Sequence, residues 1–213
     1  MADVLTAQDV HVTYRTPAGT VTALSGVSVS VPSSGMTVLA GPSGSGKSTL
    51  LRVLSLVEKP TSGEVLLSGS PTVSLSAARR RALRRKDIAL VFQNPADNLI
   101  GHLTVADNLR AAAQAAGRPV DVEELLESLG LPGTSSWRVP ALSGGQQQRL
   151  AFGCALARGA SVVLADEPTS QLDSASADLV LSTLVSLPVP VVVASHDPRL
   201  IALAARTFPM VAA

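Results

Sequence analysis

The sequence predicts an α/β fold: a mostly parallel core sheet with an antiparallel edge and an inserted helical part. Three observations carry this. Short apolar runs of five or six residues recur along the chain and end at glycine or polar residues, as buried parallel strands do. The first thirty residues instead alternate loosely between apolar and polar, which suits strands with one solvated face. Between Gln93 and Ala160 the pattern turns helical, and each helical stretch closes at or near a glycine.

Taken in order, VLTAQDVHVTY and TVTALSGVSVSV read as two antiparallel strands, with Pro17, Ala18 and Gly19 forming the hairpin between them. MTVLA (36–40) is a short buried strand that runs into a glycine loop, and TLLRVLSLV (49–57) has the spacing of a packed helix. Further apolar strands are expected at EVLLS (64–68), DIALVF (87–92), SVVLA (161–165) and VPVVVA (189–194). TVADNLRAAAQAAG, DVEELLESLG and SGGQQQRLAFGCALARG are the expected helices of the insertion. One domain over 1–213 is expected, its core formed by 1–93 and 158–213 and its helical subdomain by 94–157.

Composition narrows the function classes. Hydrophobic residues make up 46% and aromatic residues 2%, so the core must be built from Val, Leu, Ala and Ile. No apolar stretch approaches the roughly 20 residues of a bilayer span, and the opening MADVLTAQDV lacks the basic-then-apolar pattern of a signal peptide. The single cysteine, Cys154, excludes an internal disulfide; it is expected to be a small core residue, and a cytoplasmic location is the simpler expectation. A net charge of +1 argues against a general polyanion binder. The basic run Arg79, Arg80, Arg81, Arg84, Arg85 and Lys86 is read as a solvated helix face or a subunit contact, and no nucleic-acid partner is expected, because few aromatics are present to stack on bases. His11 and His102 have no metal-ligand spacing with each other or with Cys154.

GPSGSGKS (41–48) fits G-x-x-x-x-G-K-[ST] and stands between a strand and a helix, where a phosphate-binding loop belongs. Its glycines Gly41, Gly44 and Gly46 let the backbone approach phosphate oxygens, and the helix start adds partial positive charge. Ser43, Ser45 and Thr49 complete the loop. Lys47 is expected to bridge β- and γ-phosphates and Ser48 to offer its hydroxyl to Mg²⁺. SVVLADEPTSQLD (161–173) then delivers Asp166 and Glu167 at the end of an apolar strand. Strand alternation sends neighbouring side chains to opposite faces, so one carboxylate can hold the metal while the other faces the attacking water.

With these motifs in place the chain resembles the ATP-binding cassette (ABC) ATPases over nearly its whole length. LSGGQ (142–146) looks like the signature motif, GPSGSGKST like Walker A, VVLADE like Walker B, SQLD (170–173) like the D-loop, and ASHD like the switch. The resemblance implies a P-loop NTPase fold, Mg²⁺-dependent ATP hydrolysis coupled to transport, Glu167 and His196 as catalytic residues, Gln93 as the Q-loop contact to nucleotide and metal beside Ser48 and Asp166, and Tyr14 as an adenine-stacking ring. It also implies that Ser143, Gly144, Gly145 and Gln146 bind the ATP of a second cassette chain, in a homodimer an identical one, with Asp173 at the dimer contact. Gln171 departs from the small residue common at that D-loop position, and Met36 from the usual acidic one.

The family's usual role is to power a transmembrane permease from the inner face of the membrane, and NPADNLIGHLTVADNL is where transport members meet that partner. SLSAARRRALRRKDIALVFQ, with ADEPT later, is most similar to the branch of lipoprotein-releasing, macrolide-exporting and cell-division cassettes, while QNP (93–95) is also similar to some importer subunits. The alternative class is a soluble cassette ATPase of DNA repair or ribosomes; such members usually carry two cassettes or a long coiled-coil insertion, and neither is visible here.

Overall fold

The computed structural model describes residues 3–17 and 19–211. The chain runs β1 (Asp3–Thr16), β2 (Gly19–Pro32), β3 (Met36–Ala40), α1 (Lys47–Leu54), β4 (Ser62–Leu67), β5 (Ser70–Pro71), α2 (Ala77–Lys86) and β6 (Ile88–Val91). It continues through α3 (Val105–Ala115), α4 (Val122–Ser128), α5 (Gly144–Ala157), β7 (Val162–Asp166), α6 (Ser174–Ser186), β8 (Val191–Ser195), α7 (Pro198–Leu203) and β9 (Arg206–Pro209).

β6-β7-β8-β3-β9 form a five-stranded sheet whose neighbours are all parallel, and β2-β1-β4-β5 form a four-stranded antiparallel sheet. The expected hairpin joins β1 to β2, with Thr16 opposite Gly19; Ala18, assigned to its turn, lies outside the described residues. EVLLS, expected among the buried strands of the middle, belongs to the antiparallel sheet. Leu67 and Val65 pair with Leu5 and Ala7 and are buried, while Leu66 and Glu64, which alternate with them, are only half-buried. A strand covered on one face alternates in this way, and five residues are too few to distinguish it from a fully buried run.

The strands of the parallel sheet are covered on both faces. Val162 and Leu164 of β7 pack with Leu39, Leu50 and Leu54 and with Leu5 and Val10 of the antiparallel sheet. Val163 and Ala165 point the other way, into a cluster with Phe152 of α5 and Val180 and Leu184 of α6. A third cluster, built from Leu109, Leu126, Leu131 and Leu150, holds α3, α4 and α5 together. α5 therefore contributes to two clusters, with Phe152 fully buried in one and Leu150 in the other. Phe152→Ala would cost about 3–5 kcal/mol.

α1 starts at Lys47 and stops at Leu54, earlier than the apolar spacing suggests. Leu56 takes a left-handed backbone (φ 59°), and the N–H groups of Val57 and Glu58 both return to the Arg52 carbonyl at 3.0 Å. Val57 is left exposed. The basic run forms α2, none of whose residues is buried; Arg84 donates to the Leu56 carbonyl at 2.6 Å. α6, α7, β5 and β9 have no counterpart among the expected elements. α6 begins SASA, a poor helix-forming start, and is rescued by its cap: Asp173 accepts from Ser176 N–H at 3.0 Å.

Candidate active site

The loop between β3 and α1 is fixed by sterics before any charge is considered. Gly46, the N-cap residue of α1, has φ 85° and ψ 7°, and a Cβ placed there would lie 2.5 Å from the Ala23 carbonyl oxygen. Only glycine fits. Gly41 lies just as closely against the Met210 backbone, and Ser45 is buried beneath the loop. Lys47 is 6% exposed; its Nζ donates to the carbonyls of Gly41 at 2.7 Å and Pro42 at 2.9 Å. The loop thus aims one buried ammonium and the first turn of a helix at the same point, a cradle for anionic oxygens.

The carboxylate pair arrives on β7, beside β8 in the parallel sheet. Asp166 ends the strand and its Oδ1 accepts from Ser48 Oγ at 3.0 Å. Burial raises the Asp166 pKa; the Ser48 hydrogen bond opposes this, the Glu167 charge adds to it, and Lys47 opposes it. Glu167 follows with φ 43°, a left-handed backbone unusual for a residue with a side chain. This turn, as much as strand alternation, separates the two acids. Glu167 Oε1 lies 3.0 Å from His196 Nδ1 and 3.7 Å from Lys47 Nζ, and Oε2 accepts from Ser195 Oγ at 3.1 Å. Its backbone carbonyl accepts from Ser170 Oγ at 3.0 Å, and Ser170 Oγ in turn accepts from Gln93 Nε2 at 2.9 Å. Ser170 and Ser195 were not expected at the site. The signal for Ser195 was a lone hydroxyl closing the apolar run VVVA.

These groups surround a cleft of about 470 Å³. Ser43, Gly44, Gly46, Lys47, Ser48, Thr49, Gln93, Glu167 and His196 line it, and Val21, Thr22 and Ala23 of β2 close one side. Tyr14 is not part of that lining. It stands on β1, 37% exposed, near Glu58 and beside Thr49, with its pKa raised by burial first and by Glu58 second, against Thr49. A larger concavity of about 670 Å³, between α4 and the C-terminal ends of α5 and α6, carries none of the phosphate-loop or carboxylate groups.

The second glycine-rich helix start lies elsewhere. None of Ser143, Gly144, Gly145 and Gln146 lines the cleft around Lys47. Ser143 caps α5 through a reciprocal pair: Gln146 N–H donates to Ser143 Oγ at 3.3 Å, and Ser143 N–H donates to Gln146 Oε1 at 2.8 Å. The N–H groups of Gly144 and Gly145, in the first turn, have no acceptor within the helix. A Cβ at Gly145 would lie 3.0 Å from Ser176 Cβ, so α5 begins close against α6. Asp173 caps α6, its Oδ2 accepting from Ser176 Oγ at 2.7 Å. Gly144 and Gln93 share a small cleft of about 150 Å³ with Gln171 and Leu172.

A phosphate loop between strand and helix, with an acidic pair at the end of a parallel strand one place removed in the same sheet, defines a P-loop nucleoside triphosphatase. Residues 24–170 match the family described as ABC transporter, and the chain belongs to that family; it is an ATP-binding, ATP-hydrolysing cassette. It is 37% identical over 214 residues to the macrolide export ATP-binding/permease protein MacB of Shigella flexneri and 36% identical to that of Escherichia coli (strain K12). These alignments cover 97% of the chain but 33% of each relative, so the chain spans about a third of their length. Among solved structures, the dimeric post-hydrolysis state of the ATP-binding cassette MJ0796 bound to ADP and Pi matches with TM-score 0.83 and 30% identity, covering 97% of this chain and 94% of that one. CbiO1 of Clostridium perfringens, part of the ABC transporter complex cbiONQ, matches with TM-score 0.82 and 26% identity, covering 99% and 85%. The fold is that of these ABC ATPase cassettes.

Proposed function

We propose that two copies of this chain close head to tail around ATP, and that closing and reopening power a transmembrane permease. One observation carries the reading: a single chain holds a full set of hydrolytic groups around Lys47 and, outside that cleft, a second anion-binding helix start at Ser143 with glycine N–H groups free of helical partners. In an isologous dimer each Ser143, Gly144, Gly145 and Gln146 completes the site of its partner, with Asp173 at the contact. The dimeric form of the MJ0796 cassette supports this arrangement. The division into a core of residues 1–93 and 158–213 and a helical part of 94–157, which carries the signature, belongs to the same reading; the separate cluster around Leu109, Leu126 and Leu150 supports it.

Within each site, Lys47 holds the β- and γ-phosphates, and Tyr14 and the β2 wall flank the nucleoside. Glu167 accepts the proton of the attacking water at Oε1, and His196 keeps that oxygen oriented and contacts the γ-phosphate. Ser48 and Asp166 fit Mg²⁺, since they place a hydroxyl and a carboxylate oxygen 3.0 Å apart, hard donors of the kind this ion takes alongside phosphates and water. Gln93 reaches the same region from the end of β6. The bound ion would supply charge neutralisation for the phosphates. Loss of the γ-phosphate removes what both halves grip, and the dimer loosens.

The permease docks on a groove of about 400 Å³ between the end of β6 and the inserted helices, where Phe92, Asp97, Asn98, Ala112 and Cys154 meet. Phe92 is exposed there, and the groove includes residues just after Gln93. Among the described residues no helix is long and apolar enough to cross a membrane. The chain would therefore sit at the inner membrane face through that partner. The MacB relatives, named as ATP-binding/permease proteins, support a transport role.

The deciding experiment is the solution mass of Glu167→Gln with and without ATP and Mg²⁺. A shift from monomer to dimer is expected. A persistent monomer with ATP bound would overturn closure between identical chains.

A further inference from the structure

β8 is apolar through VVVA and then ends in a serine whose residue is fully buried. A hydroxyl in such a place must find partners, and Ser195 has two. Asp197 N–H donates to Oγ at 3.1 Å, and Oγ–H donates to Glu167 Oε2 at 3.1 Å. The amide fixes which way the hydroxyl points, because it occupies an acceptor lone pair and leaves the single hydrogen for the carboxylate. Asp197 is itself held, with Thr169 Oγ1 donating to its Oδ2 at 3.2 Å and Arg199 Nε donating to its Oδ1 at 3.1 Å. A backbone-anchored relay therefore ends on one oxygen of Glu167. The other oxygen, Oε1, is the one that meets His196 and Lys47 in the cleft.

The terminal torsion of a glutamate is broad, so the side chain does not fix by itself the plane in which its two equivalent oxygens lie. We infer that Ser195 is a positioning residue for hydrolysis: by holding one carboxylate oxygen of Glu167 against the end of β8 it fixes the plane of the carboxylate, and with it the direction in which the other oxygen meets the attacking water. This rests on the reading of Glu167 as general base. The chemistry remains that of Glu167; Ser195 supplies orientation, which can be worth on the order of 10- to 100-fold in rate.

The test is steady-state ATP hydrolysis by the full chain carrying Ser195→Ala, Ser195→Thr, Glu167→Gln, or Ser195→Ala with Glu167→Gln. Ser195→Ala should lower kcat by about tenfold or more with KM for ATP within about twofold, and Ser195→Thr, which keeps the hydroxyl, should recover most of it. In the Glu167→Gln background the added Ser195→Ala should change the residual rate no further, because an orienting group has nothing left to orient. Calorimetric titration with ATP of the two Glu167→Gln proteins should give the same affinity with and without Ser195. Unchanged kcat in Ser195→Ala, an equal further loss in the Glu167→Gln background, or weaker ATP binding in the double variant would each overturn the inference. If Ser195→Thr does not fold, the double-variant comparison decides alone. Full turnover in Glu167→Gln would instead remove the general base reading, and this inference with it.

Discussion

Ser48 Oγ donates to Asp166 Oδ1 at 3.0 Å, joining the first turn of α1 to the end of β7 across 118 positions of sequence. The bond closes the phosphate loop onto the carboxylate pair, and β8 lies between the two strands that carry them. Because β7 and β8 are neighbours in register, with Asp166 opposite Ala194, Glu167, Ser195 and His196 emerge together at the carboxyl end of the sheet. Ligands of open parallel sheets bind at this carboxyl end.

Glu167→Gln keeps the size of the side chain and removes the base. Turnover should fall by about 10²- to 10⁴-fold while ATP binding persists. Phosphate release and nucleotide titration on the same preparation check both halves of this expectation.

Mixing two inactive proteins should restore activity. Lys47→Ala lacks the phosphate contact and Ser143→Arg blocks the signature, so either homodimer has two dead sites. A mixed dimer has one site with both partners intact. Equal mixing should recover about a quarter of wild-type turnover, since half the dimers are mixed and each holds one of two sites. No recovery, with mixed dimers present by mass, would mean that Ser143 does not complete the partner's site.

Asp166→Asn should trade function for stability. The folded pKa of Asp166 is raised, chiefly by burial, so its ionised form opposes folding at every pH above that raised value. The opposition fades as pH falls and the carboxyl takes its proton. Without Mg²⁺, Asp166→Asn should therefore melt higher than the parent near neutral pH, by about 2–4 °C for each kcal/mol relieved, and the gap should close in acid. Mg²⁺-dependent hydrolysis should be lost. Thermal melts across pH, beside the ATPase assay, test the pairing.

Cys154 should be inert in the folded chain. Burial pushes its thiol up to about 12, only partly opposed by Arg158, so almost no thiolate is present at pH 8. Labelling with a thiol reagent should be slow in buffer and rapid in denaturant. Fast native labelling would show that the half-buried thiol reacts from the groove it lines, against this expectation.

Much of this was written in the order of residues alone. The phosphate loop is contiguous, its glycines are required by local sterics, and MTVLA appears as β3 at its expected bounds. Local chemistry also sets the reciprocal cap of Ser143 and Gln146, three residues apart in the same first turn. The assignment of EVLLS to the antiparallel sheet was not legible, because strand partners lie far away in sequence. Nor were β9 and α6, whose short or serine-rich runs fold as they do through neighbours and caps. At the site, sequence named Glu167 and His196 separately. Only the packing of β7 beside β8 brought them to 3.0 Å, recruited the buried Ser195 hydroxyl to the other oxygen, and left Tyr14 at the margin of the cleft. Motifs are determined by sequence because their geometry is local; the orientation of a carboxylate is decided by groups that only the folded sheet makes neighbours.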